Sequence, residues 1–536
     1  MVYQADQNYN VPDVDVLSLL FDSKYCDAAE DTKIHIEAGN DANSVTKSQA
    51  RDLTQRIAHG LRNKFNIGAT GPGKDVVVSI SSGQPLLPVL FYGVVAAGGV
   101  YSAASSSFTT PELARQITQG GSSLVVCSPD TQDVAVAAAK QCGVPLDRVL
   151  CLKSSPEWSL TSVGDNQNSI SGEKLDWKRI TNKEELENSL VCLLYSSGTT
   201  GPPKVSAAVI TGELGREYIT KRGSPFEYRT LAHLPAAHIA GVQGYFINPF
   251  YMGGPVYWMP KFDFQKFLDF NKRYRITFFF SVPPIYLLIA KSPAVTDQFE
   301  SLEIAVSGAA PLGKELQLAA SQKLGKGKTF ISQTWGLSET TGSVTAMPWG
   351  RNDDTGSVSP VLPNMQLRLV DDDGKDVAAG QRGEVLVKGP VVTKGYHNSS
   401  KVTQEAFVDG WFLTGDIAEI RNGLVYIVDR KKELIKYKGL QVAPAELEAI
   451  LLSHPIILDA AVIGVEQEGT EVPRAFVVVG KKLSEEEIKS FVKSKVASYK
   501  QLRGGVVFVD AIPKNASGKI LRRELRDSSK KPIAKL

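Results

Sequence analysis

The chain has 536 residues, too long for one hydrophobic core, and predicts at least two domains, since a domain usually takes roughly 100–200 residues. Basic and acidic residues nearly balance at 60 and 57, and the net charge of +3 argues against a surface built for nucleic acid or anionic membranes. The five cysteines are odd in number and form no CxxC pair, which argues against a disulfide framework and a structural zinc site.

The termini and the most apolar segments bear on localisation. The N-terminal stretch MVYQADQNYN is polar, so we expect no secretory signal. The apolar segments 86–100 and 276–290 are too short to span a bilayer, and we expect them in the core. The C-terminal tripeptide Ala534, Lys535 and Leu536 resembles the SKL type of peroxisomal address. We therefore expect import by the peroxisomal receptor for this tripeptide, and otherwise a cytoplasmic protein.

The first part of the chain alternates strand and helix signals. β-Branched runs at 75–80 and 123–127 predict buried strands. The stretch PELARQIT between them predicts a helix with Thr110 as N-cap and Pro111 at the first helical position. Strands that alternate with helices predict parallel sheets covered on both faces.

The stretch YSSGTTGPPK, residues 195–204, follows an apolar run of strand type. A glycine-rich turn after a strand favours a phosphate cradle, because unhindered N–H groups can converge on anionic oxygens. A Walker loop is excluded, since Pro203 before Lys204 has no N–H and Val205 after it cannot ligate magnesium. From this stretch alone, a plain surface turn stays an equal alternative.

The signals change in the last third of the chain. From about residue 360, runs at 365–370 and 383–389 with a turn at 371–374 predict an antiparallel meander. A compact α+β pattern follows, in which Ser484 and Glu487 form a capping box that opens a helix.

Six clusters occur in a fixed order along nearly the whole chain. They are YSSGTTGPPK, SGAAPLGKEL from residue 307, QTWGLSETTG at 333–342, GWFLTGD at 410–416, DRKKELIKYKGLQVAPAELE at 429–448 and PKNASGKILRREL at 513–525. In this order they resemble the adenylate-forming superfamily of acyl- and aryl-CoA synthetases, firefly luciferases and peptide-synthetase adenylation domains. The resemblance is closest to 4-coumarate-CoA ligase-like enzymes.

The resemblance implies an α/β architecture in two domains. A large N-terminal domain over 1–430 would hold two α/β subdomains and a small antiparallel β-barrel, and would bind ATP and the carboxylate. A smaller, mobile α+β domain over 431–536 would follow, and Lys432 matches the hinge about which it rotates. A charged residue suits a hinge that stays solvated while its backbone dihedrals change.

The resemblance also implies a two-step reaction. A carboxylate attacks the α-phosphate of ATP to give acyl-AMP and diphosphate, and the thiol of coenzyme A then displaces AMP. Negative charge accumulates on the phosphate oxygens in the first step, so fixed donors and Mg²⁺ are expected to dominate catalysis. ATP and Mg²⁺ are therefore expected as cofactors, with coenzyme A as the cosubstrate.

Site residues are implied by matching positions. For ATP and AMP these are Ser196, Ser197, Gly198, Thr199, Thr200, Gly201, Lys204, Gly308, Ala309, Ala310, Gln333, Thr334, Trp335, Gly336, Ser338, Asp416 and Arg430. Trp335 matches an adenine-stacking position where tyrosine is more usual, and Asp416 matches the ribose carboxylate. The loop exit Val205-Ser206 departs from the glycine that usually follows the lysine.

The implied catalytic residues are Lys519, His238, Glu339 and Lys436. Lys519 matches the lysine of the first step, where a compact ammonium can donate three hydrogen bonds. Glu339 matches the magnesium-associated carboxylate. Lys436 and Gly439 match the face that serves thioester formation with CoA.

The acid to be activated is indicated by the residues expected at its pocket, namely His238, Ile239, Ala240, Gly244, Val306 and Thr334. Amino-acid-activating relatives carry an aspartate for the substrate ammonium where this chain has Ile239, and an unpaired buried ammonium is costly. A roomy, mostly uncharged wall suits an aromatic or medium-chain fatty acid.

Three functions stay open at this point. The favoured one is a carboxylic acid–CoA ligase. The second is an enzyme that stops at acyl-AMP. It would pass the acyl group to a carrier protein or, as luciferases do, oxidise it. A degenerate member that only binds nucleotide is the third, and intact Lys519, Asp416 and Glu339 speak against it.

Overall fold

A computed structural model describes residues 1–22, 24–26, 28–195, 199–201, 205–515 and 518–529, with 199–201 as backbone only. Within these ranges, no helix is long and apolar enough to cross a membrane. The α-helices are Val16–Phe21, Lys47–Phe65, Leu86–Ala96, Thr110–Gly120, Gln132–Gln141, Lys183–Asn188, Val205–Arg222, Ile239–Gly241, Asn248–Tyr251, Phe264–Arg273, Pro283–Lys291, Lys314–Ser321, Ser400–Ala406, Pro444–Leu452, Glu485–Lys493 and Arg522–Ser529. A π-helical segment spans Val242–Ile247, and 3-10 turns span Pro129–Thr131, Leu146–Arg148, Gly325–Gly327, Ser338–Thr340 and Ser498–Lys500.

A seven-stranded sheet forms the first subdomain. In spatial order its strands are Thr199–Gly201, Cys192–Leu194, Val100–Ala104, Val76–Ile80, Leu124–Cys127, Val149–Lys153 and Ser159–Ser162. The five inner strands are parallel and each end strand is antiparallel to its neighbour. Val77 faces the core under helix Leu86–Ala96, whereas Val78 faces the core under helix Thr110–Gly120. The predicted parallel sheet covered on both faces is confirmed.

The predicted start of one helix is wrong by one residue. Helix Thr110–Gly120 has Thr109, not Thr110, as its N-cap. The Glu112 carboxylate accepts the N–H and the hydroxyl of Thr109 at 2.7 Å each. The i, i+3 spacing of a capping box therefore selects Thr109.

The second subdomain holds two smaller sheets. One has the order Thr230–Ala232, Val256–Trp258, Lys33–Glu37 and Asn40–Thr46, parallel except for the last strand. The other is parallel, with Phe278–Ser281, Ile304–Ser307 and Ile331–Gln333. The apolar segment 276–290 supplies strand Phe278–Ser281 and helix Pro283–Lys291 of this subdomain, as core rather than membrane.

An antiparallel six-stranded sheet forms the third part. Its strands are Val2–Gln4, Gln366–Val370, Gly383–Lys388, Trp411–Arg421, Phe407–Val408 and Leu424–Arg430, and the short pair Gly336–Leu337 and Gly342–Ser343 lies apart from it. The predicted meander of 365–370 and 383–389 is confirmed as neighbouring strands.

The C-terminal part is the predicted α+β unit. It consists of the hairpin Ile435–Tyr437 and Leu440–Val442 and a sheet of Ile457–Gln467, Thr470–Val479 and Val506–Phe508. The capping box of Ser484 and Glu487 opens helix Glu485–Lys493, as predicted.

A buried polar chain joins the first two subdomains. His35 lies 3.3 Å from the Tyr92 hydroxyl through Nε2 and accepts the indole N–H of Trp258 at 3.4 Å through Nδ1. Tyr92 in turn donates to the carbonyl of Phe246. Burial lowers the pKa of His35 to about 3, so the imidazole is neutral in the folded protein.

Stability is therefore expected to fall with acidification. Between pH 6.5 and about 3 the unfolded chain binds a proton at His35 that the folded chain does not. The contribution of neutral His35 to the free energy of unfolding is therefore full above pH 6.5 and is lost as the pH falls below it. The slope for this group is about 1.4 kcal/mol per pH unit. Thermal unfolding of His35→Gln from pH 7 to 5 should show a smaller loss of melting temperature than wild type. Parallel curves would contradict a neutral buried His35.

Candidate active site

Two spaces adjoin in the structure. An inner cavity of about 170 Å³ lies among the second subdomain, helix Val205–Arg222 and the π-helical segment. A cleft of about 470 Å³ lies between the large N-terminal part and the C-terminal part. Both are lined by Ala309, Gln333, Thr334 and Gly336. A ligand with an apolar tail and a nucleotide head could therefore span both spaces across this shared wall.

The inner cavity contains every residue expected at the acid pocket. His238, Ile239, Ala240, Gly244, Val306 and Thr334 all line it. Among the described residues that line it, none is Asp, Glu, Lys or Arg. The cavity therefore suits an uncharged tail.

Four aromatic residues that the sequence did not single out line the same cavity, Phe280 among them. The rings of Tyr228 and Phe278 stack with centroids 4.7 Å apart, and Trp349 lies 5.4 Å from Phe278 and 6.3 Å from Tyr228. These three residues lie far apart in sequence, so no local motif could have indicated the cluster. They give the cavity an aromatic wall.

The π-helical segment supplies another part of the cavity lining. Gln243 and Gly244 lie in Val242–Ile247, and a wider helical turn of this kind is frequent at functional sites. A side chain at Gly244 would meet no atom within 4 Å, so the missing Cβ leaves open space. The amide of Gln243 donates to Asn248 at 2.7 Å, and Asn248 donates to the Thr211 hydroxyl at 3.4 Å. This part of the lining is polar but neutral.

His238 begins the helix that leads into the π-helical segment. Its Nδ1 accepts the N–H of Ala240 at 3.3 Å, so in the neutral ring Nε2 carries the proton. Burial, and then the charge of Lys519, lower the pKa of His238. A neutral imidazole thus lines the cavity within the electrostatic influence of Lys519.

Asp416 is the buried carboxylate of the cleft. The indole N–H of Trp335 donates to its Oδ2 at 2.8 Å, and Nε of Arg430 lies 3.3 Å from Oδ1. Arg430 is the cross-strand partner of Asp416, so the sheet register sets this ion pair. Burial raises the pKa of Asp416, and Arg430 and the Trp335 hydrogen bond oppose that rise.

The strip 308–310 approaches the cleft closely. A Cβ on Gly308 would lie 2.8 Å from the Phe280 ring and 3.0 Å from the Thr334 methyl group. Ala309 has a φ of 68°, and both Ala309 and Ala310 line the cleft. Glycine is therefore required at 308 for a thin strip beside the shared wall.

Lys519 enters the same cleft from the C-terminal part. Its N–H donates to Oδ1 of Asn515, and its carbonyl accepts the Asn515 N–H, both at 2.9 Å. Burial, followed by the charge of Arg430, lowers the pKa of Lys519 to about 8. The charge of Asp416 acts in the opposite direction.

Two ion pairs flank the Lys519 turn. Lys514 contacts Asp459 at 2.6 and 2.8 Å, and Arg522 contacts both oxygens of Glu448 at 2.8 Å. Burial raises the pKa of Glu448 to about 7, although the Arg522 charge opposes the rise. Asp459 lies in none of the six sequence clusters, and Glu448 ends the cluster 429–448 without a role having been predicted for it.

Lys436, Gly439 and Lys432 do not line this cleft, although the charge of Lys432 contributes to the lowered pKa of Lys519. Lys436 and Gly439 belong to the exposed hairpin, and neither lines the cleft or the cavity. The charge of Lys436 reaches Asp372, on the turn after strand Gln366–Val370. Lys432 is exposed between strand Leu424–Arg430 and the hairpin. In this arrangement Lys519 lines the cleft and Lys436 does not.

Ser338 and Glu339 lie buried in a 3-10 turn next to the shared wall. The hydroxyl of Tyr396, which the sequence had not indicated, donates to Glu339 at 3.0 Å. Among the described residues no group of three or more His, Cys, Asp or Glu side chains could hold a metal ion. Mg²⁺ commonly binds one or two carboxylates together with substrate phosphates, and the Glu339 carboxylate fits that mode.

Part of the predicted nucleotide loop lies outside the described residues. Ser196, Ser197, Gly198 and Lys204 fall there, as does the tripeptide Ala534, Lys535 and Leu536. The backbone of Thr199, Thr200 and Gly201 forms a strand antiparallel to Cys192–Leu194. The roles predicted for this loop stay predictions.

Comparisons with known proteins agree with this geometry. Residues 25–397 match the model of the AMP-binding enzyme family, and residues 446–519 match the AMP-binding enzyme C-terminal domain. ATP-bound MatB of Rhodopseudomonas palustris has the same fold, with a TM-score of 0.80, 26% identity, and coverage of 97% of this chain and 99% of that one.

Sequence relatives extend over almost the whole chain. A protein of Emericella nidulans, provisionally named an acyl-coenzyme A synthetase, is 51% identical and covers 99% of this chain and 98% of its own. Phenylacetyl-CoA ligase epaB of Aspergillus niger is 35% identical over 98% of this chain and 99% of its own. 4-Coumarate–CoA ligase 3 of Oryza sativa is 34% identical over 96% of this chain and 93% of its own. The chain therefore belongs to the AMP-binding enzyme family and is an AMP-forming acyl-CoA ligase related to the 4-coumarate-CoA ligases.

Proposed function

We propose that the protein activates a carboxylic acid with ATP, through an acyl-adenylate, and transfers the acyl group to coenzyme A. The observation that carries this proposal is the contact between the neutral cavity and the charged cleft at one shared wall. The acid tail would occupy the cavity and the adenosine the cleft, so the carboxylate would meet the α-phosphate near 333–336. Lys519 lines the cleft there.

In the first step an oxygen of the carboxylate forms a bond to the α-phosphorus, and the bond to the bridging oxygen of diphosphate breaks. The Lys519 ammonium would stabilise the negative charge that gathers on the α-phosphate and carboxylate oxygens. Asp416 would bind ribose hydroxyls as an acceptor. Glu339 would hold the Mg²⁺ that arrives with ATP and neutralises phosphate charge.

In the second step the CoA sulfur bonds to the acyl carbon, the bond to the AMP oxygen breaks, and the thiol proton is released. His238 lines the cavity beside the shared wall with a neutral ring whose Nδ1 is occupied. The Nε2–H of this ring could donate a hydrogen bond to the incoming thiolate. Lys436 would serve this step after rotation about Lys432.

The size of the cavity limits the acid. A cavity of about 150 Å³ holds a benzene molecule, and the inner cavity has about 170 Å³. The aromatic wall of Tyr228, Phe278 and Trp349 favours contact with a ring. No described lining side chain is a cation that could pair with a second carboxylate. A single-ring aromatic acid or a medium-chain fatty acid fits best, and the similarity to a phenylacetyl-CoA ligase supports the first.

The test is a screen of carboxylic acids with ATP and CoA, with diphosphate and thioester scored separately. We expect both products from phenyl-substituted or six- to eight-carbon acids, and neither from dicarboxylic acids. Diphosphate without thioester would contradict CoA as acceptor and favour a carrier protein.

Gly244→Leu should fill the cavity and lower kcat/KM for ring acids at least about tenfold, because the new side chain enters open space. The kcat/KM for acetate should change little.

The two lysines should act in different half-reactions. Lys519→Ala should slow acyl-AMP formation by about a hundred- to a thousandfold, since one preorganised charged donor is lost. Lys436→Ala should spare diphosphate release and slow transfer to CoA, because Lys436 lies outside the cleft. Supplying synthetic acyl-AMP should rescue the Lys519 variant and not the Lys436 variant. Failure of both variants in the same half-reaction would contradict two alternating faces.

The first step should have an alkaline limit set by Lys519. Its pKa of about 8 means that the ammonium is lost as pH rises through 8, so kcat/KM for diphosphate release should fall about tenfold per unit above it. Lys519→Arg is less active at neutral pH because the guanidinium has a different shape, yet it stays charged to beyond pH 12. The alkaline limb should therefore disappear in that variant. An unchanged limb would assign it to another group.

A further inference from the structure

Trp335 makes a contact that adenine stacking does not explain. Its indole N–H donates to Oδ2 of Asp416 at 2.8 Å, and both side chains are buried, with exposures of 9% and 4%. A hydrogen bond to an ionised group in a buried place is stronger than an ordinary one. The contact joins the shared wall to the antiparallel sheet.

The indole is held in place by its own surroundings. The backbone N–H of Trp335 donates to the Thr345 hydroxyl at 2.9 Å, and its backbone carbonyl accepts the Val344 N–H at 2.8 Å. The ring packs in the core of the antiparallel sheet with Val344, Val361 and Leu362. The donor is therefore fixed before any ligand arrives.

The other partner of Asp416 is less constrained. The side chain of Arg430 is 37% exposed, and its Nε lies 3.3 Å from Oδ1. An exposed guanidinium is screened by solvent and holds a carboxylate less firmly than a buried donor. The orientation of the Asp416 carboxylate thus depends mainly on Trp335.

We infer that Trp335 is a positioning residue, whose indole N–H orients the Asp416 carboxylate toward the ribose hydroxyls of the adenosine ligand. The inference rests on the proposed function, because it takes the cleft as the adenosine site. The two oxygens of Asp416 keep lone pairs for the ribose after accepting from Trp335 and Arg430. Tyrosine, the more usual residue at this motif position, carries its donor at the far end of the ring and phenylalanine carries none.

Nucleotide binding tests this inference without knowledge of the acid. Calorimetry would compare the dissociation constants of AMP and 2′,3′-dideoxy-AMP, and their ratio measures recognition of the ribose hydroxyls. Any loss of adenine stacking in Trp335→Phe weakens both ligands equally and cancels in the ratio. We expect wild type to prefer AMP by about ten- to a hundredfold and Trp335→Phe to lose most of that preference.

A double-mutant cycle separates positioning from mere packing. Asp416→Asn should also lose the preference, and Trp335→Phe should add little in that background, because both substitutions act through the same carboxylate. Trp411→Phe is the matched control. Trp411 is likewise 9% exposed, begins the strand that carries Asp416, and packs with Val370 and Leu386 away from the cleft. In Trp411→Phe the ratio of the two dissociation constants should equal that of wild type.

The pH dependence gives a second readout. The groups that act on Asp416 are Arg430 and Lys519, which favour its charged form, and Asp429, which disfavours it. Removing the indole donor raises the pKa of Asp416 further, so the preference for AMP should disappear at a higher pH in Trp335→Phe than in wild type. A purely structural Trp335 would leave this midpoint unchanged.

The outcomes are distinct. Equal preference in wild type and in Trp335→Phe would overturn the inference while leaving the proposed function intact, and additive effects in the cycle would do the same. Failure of wild type to bind AMP at all would overturn both. If Trp335→Phe does not fold, Trp335→Tyr fills more of the site, also lacks the indole N–H, and carries the same expectations.

Discussion

The short wall of residues 333–336 is the constraint on which the rest of the site depends. In this wall, Gln333, Thr334 and Gly336 line both the neutral cavity and the charged cleft, and Trp335 lines the cleft. Its anchors are polar and buried: the Thr334 hydroxyl donates to Ser343 at 2.8 Å, and Trp335 contacts Thr345 and Asp416. If this wall moved, an acid in the cavity and a nucleotide in the cleft would lose their common meeting point.

Charge in the cleft is arranged around one buried carboxylate. Asp416 lies among Arg430, Lys519 and the Trp335 donor, which partly offset the energetic cost of burying its charge. Burial lowers the pKa of Lys519, and the charges of Arg430, Lys432 and Arg522 lower it further, whereas Asp416 acts in the opposite direction. An incoming triphosphate would reverse that balance and favour the ammonium.

The C-terminal part brings Lys519 to the cleft through contacts that cross between the two parts. Lys291 donates to carbonyl oxygens of His454 and Ile457, and the Asp429 carboxylate accepts the Ala445 N–H at 3.0 Å at the start of helix Pro444–Leu452. Glu448 on that helix then pairs with Arg522, close to Lys519. These contacts hold Lys519 at the cleft, whereas the hairpin with Lys436 stays outside it.

The sequence by itself determined the family and the layered α/β order, and it predicted several residues that line the two spaces. Alternating strand and helix signals are local, so the parallel sheets and the antiparallel meander could be predicted, and the family resemblance predicted roles for Asp416, Lys519 and His238, which line the cleft or the cavity. A capping box depends on side chains three residues apart, and only its exact start at Thr109 needed the hydrogen bonds. Only the tertiary structure decided the shape of the cavity, because Tyr228, Phe278 and Trp349 meet from distant segments. It also decided which donor reaches Asp416 and which lysine faces the cleft, since burial and charge pairing arise from residues that no spacing in the chain brings together.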